Sequence, residues 1–132
     1  MESKDERNER LSELSRELET AKRDQKTRQQ ELEDAEAQVR DARQKLDTSR
    51  QAVTEMQAEG TDFDPQQNDD DLEKLTKETV KGHRLASELK EAEGVLSEAR
   101  RKLEDSESKY KDVLGQIRST YDHYGWEQEE NS

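Results

Sequence analysis

The chain contains no cysteine, which excludes disulfides, thiolate nucleophiles and cysteine-ligated zinc. Proline and phenylalanine occur once each, as Pro65 and Phe63, and all aromatic residues together make up only 4% of the chain. Apolar residues account for 26% against 44% charged. A compact globular core cannot be assembled from that balance, so 132 residues of this composition are either disordered or a long coiled coil. No apolar run approaches the roughly 20 residues that span a bilayer. The opening MESKDERNER also lacks the apolar stretch of a secretory signal, so the expectation is a cytoplasmic protein without membrane contact. A net charge of −12 argues against nucleic acid as a partner, because a phosphate backbone is held by Lys and Arg clustered on one face.

What the chain does have is period. From Leu11 the 3-4 spacing runs through Leu14, Leu18, Ala21, Gln25, Arg28, Leu32, Ala35, Val39, Ala42, Leu46, Ser49 and Val53 to Met56 without a slip. A disordered charged segment has no reason to keep a 3.5-residue period, whereas a helix supercoiled on a partner does. Residues 1–3 read as a cap, with Ser3 and Glu6 forming a capping box, and residues 4–59 contain neither Gly nor Pro. Gly60 then suits a left-handed C-terminal cap, which predicts a first helix over residues 4–59.

Residues 60–70, GTDFDPQQNDD, break every helical rule and read as an apex loop. Asn68, Asp69, Asp70 and Asp71 suit an N-cap and first turn, where carboxylates meet orphan amides and the positive end of the helix dipole. Asp62, Asp64, Gln66, Asn68, Asp70 and Glu73 also fall at the ligand spacing of an EF-hand loop. Gln67 stands where that loop needs glycine, Asp69 where a small apolar residue is usual, and Pro65 stiffens the backbone. The first reading is therefore a solvated, capped turn. Asp62, Asp64, Asn68, Asp70 and Glu73 remain the candidate metal ligands, and no cofactor is expected.

The spacing resumes at Leu75 and predicts a second helix over residues 71–124. In both helices the a sites are mostly large (Leu11, Leu18, Leu32, Leu46; Leu89, Leu96, Leu103, Tyr110) and many d sites are small (Ala21, Ala35, Ala42; Ala92, Ala99, Ser106). A parallel pair would alternate Leu-Leu layers with underfilled Ala-Ala layers, while an antiparallel pair sets large against small. Voids cost on the order of 1 kcal/mol or more, so antiparallel wins. Facing residues whose numbers add to about 131 give Met56/Leu75, Ser49/Gly82, Leu46/Leu85, Ala42/Leu89, Ala35/Leu96, Gln25/Ser106, Ala21/Tyr110, Leu14/Ile117 and Arg7/Tyr124. The fold class is thus an all-α, two-helix antiparallel coiled-coil hairpin, with dimerisation into a longer bundle as a further option. Gly94 and Gly115 fall on the outer face and weaken the second helix by about 1 kcal/mol each.

The e positions of the second helix are apolar towards its ends, at Leu72, Ala86, Leu114 and Tyr121, and charged between. Such stripes mark a further helix contact, with a homodimer weighed evenly against a monomeric hairpin. Tyr121, Tyr124 and Trp126 gather three of the aromatics around the start of residues 125–132, which read as an acidic and disordered tail. The tyrosines read first as packing at the open end of the hairpin, and Trp126 lies beyond the last layer. The candidate interaction residues are Leu72, Leu114, Tyr121, Tyr124 and Trp126.

The sequence holds no nucleophile–base pair, phosphate-binding glycine loop or spaced metal-ligand cluster, and two packed helices offer no concave pocket. The expectation is a non-enzymatic structural or interaction protein: a rigid coiled-coil hairpin acting as spacer, scaffold or adaptor for a protein partner. An alternative is an effector that presents its acidic tip to another enzyme or a metal ion. In outline that arrangement resembles the coiled-coil finger of Gre-type transcript-cleavage factors, through carboxylates such as Asp62 and Asp64 on a hairpin tip. The resemblance is architectural, without a shared motif.

Overall fold

The computed structural model describes residues 4–59 and 69–123. Both stretches are helical from end to end, as α1 (Lys4–Glu59) and α2 (Asp69–His123), and they pack on each other as an all-α hairpin. In α1, Asp5 and Glu6 occupy the first turn, where carboxylates are favoured by the helix dipole. Asp69, Asp70 and Asp71 do the same for α2, which starts two residues ahead of the boundary expected at 71. Threonine, a weak helix former, is accommodated by bonding back one turn. Thr48, Thr54, Thr76, Thr79 and Thr120 each donate their hydroxyl to the carbonyl four residues earlier at 2.7–3.0 Å. Ion pairs within a helix, such as Arg101 to Asp105 at 3.0 Å and Arg28 to Glu31 at 3.1 Å, are exposed and contribute about 0.5 kcal/mol or less apiece.

The chain divides into two compact units: residues 1–32 with 99–132, and residues 33–98. In the second, Ala35, Val39, Leu46 and Leu85 are buried, and so is Ser49. Ser49 Oγ lies 3.5 Å from the Glu78 carbonyl oxygen and 3.5 Å from the point where a Cβ on Gly82 would sit. Ser49 and Gly82 therefore form one layer, and their numbers add to 131. Arg43, at an e position, meets Glu93, also at e, at 3.7 Å. That is the flanking e–e contact of an antiparallel pair in this register.

In the first unit, Leu14, Ala21, Ala99, Leu103 and Val113 form the apolar core. Here the flanking contact is on the g side, where the Arg10 guanidinium donates to Gln116 Oε1 at 3.2 Å. The numbers of this g–g pair add to five less than 131 and those of the e–e pair to five more, so each unit independently gives the same alignment. Every a and d residue from Leu11 to Met56, and from Leu75 to Thr120, is buried or half-buried. The other described residues that are not exposed, apart from the d residue Arg7, are Asp24, Glu36, Ala52, Ala86, Lys102 and Glu107. Each of them flanks the seam at e or g. Among the described residues the seam is the core.

Besides Ser49, two polar residues are buried in it among the described residues. Arg7 is buried on the seam at a d position, and its expected partner Tyr124 lies outside the described residues. Ser106 is buried as well, and its hydroxyl has no hydrogen-bond partner among the described residues. Gln25 shares its layer without bonding to it.

Candidate interaction surface

With the a and d side chains committed to the seam, what distinguishes one face of the hairpin from another is what flanks it. On α2 the e positions read Leu72, Thr79, Ala86, Glu93, Arg100, Glu107, Leu114 and Tyr121. Leu72, Leu114 and Tyr121 are 48%, 41% and 37% exposed, so three of the largest side chains on the helix lie outside the core. Each sits one residue past a seam position and therefore cannot turn inward without disrupting the 3-4 spacing.

The second unit has clefts on both flanks of the Ser49/Gly82 layer. A glycine at an a position, opposite a serine, leaves the helices with no side chain long enough to fill the space beside them. On the e side an open cleft of about 390 Å³ is lined by Leu46, Ser49, Val53, Thr79, Gly82 and Ala86, with the exposed Arg50 and His83 alongside. On the g side a cleft of about 730 Å³ is lined mainly by charged residues, among them Asp41, Lys45, Glu78, Lys81, Arg84 and Glu88. Within the first unit one cleft is bordered mainly by charged and polar residues, among them Arg16, Glu17, Lys109 and Asp112, with Val113. Only the e-side cleft beside Gly82 combines an apolar floor with exposed apolar neighbours on the same stripe, among the described residues.

Of the residues singled out from sequence, Leu72, Leu114 and Tyr121 share the e stripe of α2. Tyr124 and Trp126 lie outside the described residues. So do Asp62, Asp64 and Asn68. Asp70 and Glu73 stand exposed in the first turns of α2, and the Glu73 carboxylate pairs with Lys77 at 3.3 Å. Among the described residues no group of three or more His, Asp or Glu side chains is placed to hold a metal ion. No described helix is long and apolar enough to cross a membrane.

The clefts depart from the expectation that a helix pair has no concavity. Their signal was present in the register, as the one layer that pairs glycine with serine. Val80 and Val95, 62% and 53% exposed, were not anticipated either. They occupy f and g positions, outside the a and d residues of the seam.

Compared with known proteins, the chain matches no family model, no curated protein and no solved structure.

Proposed function

We propose that this chain is a non-enzymatic structural or interaction protein of the cytoplasm, a coiled-coil hairpin that acts as spacer, scaffold or adaptor and meets protein partners through the e stripe of α2. One observation carries this reading: the 3-4 seam is used up within the chain, yet Leu72, Leu114 and Tyr121 remain exposed beside it. Solvating large apolar side chains costs roughly 25 cal/mol per Å² of exposed area. A helix that needed only to pair with its neighbour would carry polar residues at these positions, as α2 does at Glu93, Arg100 and Glu107. The acidic remainder of the surface keeps such a protein soluble between partners.

The test separates contact from folding. Leu72→Asp and Leu114→Asp, singly and combined, should leave the stability of the chain unchanged within about 0.5 kcal/mol when compared with wild type at concentrations where both are monomeric. The same variants should lose partners that the wild-type chain retains in pull-downs. A combined variant that keeps every partner, or that melts well below wild type when both are monomeric, would sink the proposal.

A further inference from the structure

We propose that the partner seated on the e stripe of α2 is a second copy of this chain, docked antiparallel about a two-fold axis, with its Leu114 entering the cleft beside Gly82. This rests on the reading of Leu72, Leu114 and Tyr121 as contact residues and specifies what they contact. The support is the order of residues along the stripe. Laid against its own reverse, it has one alignment that satisfies both charge and apolar cover, in which facing residues have numbers adding to 193. Leu72 then meets the partner's Tyr121, Thr79 meets the partner's Leu114, and Glu93 meets the partner's Arg100. Two-fold symmetry makes every one of these contacts twice.

Neighbouring alignments fail on charge. Moving one heptad in one direction places Arg100 on the partner's Arg100 and Glu93 on the partner's Glu107. Moving one heptad in the other direction places Glu93 on the partner's Glu93. Like charges in direct opposition suppress wrong pairings, which is how e and g residues set partner and orientation in helix assemblies. In the favoured alignment Ala86 meets the partner's Glu107, a half-buried residue whose methylene stem can cover a methyl group. Glu93 already uses Oε1 towards Arg43 at 3.7 Å, and its second oxygen accepts from the partner's Arg100.

The cleft supplies the steric half of the match. Thr79, Gly82 and Ala86 border it on α2 and Leu46 and Val53 on α1, with about 390 Å³ between them. The alignment brings the partner's Leu114 onto Thr79, at the edge of this space. Each contact joins residues 72–93 of one copy to residues 100–121 of its partner.

Sedimentation equilibrium of the full chain, at concentrations on the order of 100 µM, should show a dimer. Glu93→Arg alone and Arg100→Glu alone should each weaken it about tenfold or more, because each sets two like-charge pairs face to face. Mixing these two variants should restore association as a heterodimer, since the introduced charges are complementary across the axis. The absence of native cysteine makes cross-linking a clean second readout. Thr79→Cys mixed with Leu114→Cys should form a disulfide-linked dimer on oxidation, while neither variant does so alone. A monomeric wild-type chain, two charge variants that dimerise as well as wild type, or Thr79→Cys cross-linking to itself would each overturn the docking. Those results leave the reading of the stripe as a contact surface intact. A lower melting temperature for Leu114→Asp than for wild type, both measured at concentrations where the chain is monomeric, overturns both, because Leu114 would then belong to the hairpin's own packing.

Discussion

Replacing Gly82 by alanine tests the open layer directly. A Cβ built at this position lies 3.5 Å from Ser49 Oγ, an ordinary van der Waals distance, and meets no other heavy atom within 4 Å. The substitution therefore introduces no clash. It removes the helix penalty of glycine, about 1 kcal/mol relative to alanine, and places a methyl group against a seam that is already dry at Ser49. The expected gain is about 1 kcal/mol, which for a chain of this size raises the melting temperature by about 3–5 °C. Gly94→Ala and Gly115→Ala are the controls, since a Cβ at either meets nothing within 4 Å and the propensity gain should act there alone. Far-UV circular dichroism melts of the three variants, taken at concentrations where the chain is monomeric, provide the comparison. A fall for Gly82→Ala with a rise for the other two would refute the open layer. A fall in all three would refute a helical α2 at these positions.

Three further substitutions follow from the seam. Leu14 is completely buried, and Leu14→Ala should cost about 2–5 kcal/mol, read from denaturant midpoints, whereas Val80→Ala on the exposed face should stay within about 0.5 kcal/mol. Ser106→Ala removes a buried hydroxyl without a hydrogen-bond partner among the described residues and should stabilise by about 1 kcal/mol in the same assay; a loss of that size would mean the hydroxyl is satisfied. Arg28 occupies a seam position in the layer of the buried Leu103, held by partly exposed pairs to Asp24 at 3.5 Å and Glu31 at 3.1 Å. Arg28→Leu gives up about 1 kcal/mol or less of surface pairing and gains the burial of an apolar side chain, so its melting temperature should rise.

The hairpin and its alignment were legible because they depend on volume and period alone. Alternation of large a with small d residues decides direction, and the flanking Arg10–Gln116 and Arg43–Glu93 contacts fall where that decision places them. Less legible was what happens where the alternation fails. Ser49 opposite Gly82 is visible as a weak layer, but whether two helices close over such a gap or leave it open depends on how far the neighbouring Leu46 and Val53 hold them apart. Gln25 and Ser106 share a layer as their numbers require, yet Ser106 is buried without Gln25 bonding to it. Sharing a layer fixes proximity but not the direction in which a side chain points. The exposure of Leu72, Leu114 and Tyr121 was readable from their e positions. What they meet was not, since heptads describe only the pair that forms the seam.

The 131 alignment also governs how this chain can change length. Every a–d layer fixes one residue of α1 against one of α2, so an insertion or deletion in a single helix displaces all layers on one side of it. Removing the heptad 35–41 from α1 alone would take Tyr110 off the small Ala21 and set it against Leu14, and two large side chains would then contend for one layer. Removing residues 90–96 from α2 at the same time restores every remaining layer. Natural variation in the length of such a chain should therefore be paired, seven residues from each helix at mirrored positions. Its length is inherited as a joint property of two distant segments, and neither can drift without the other.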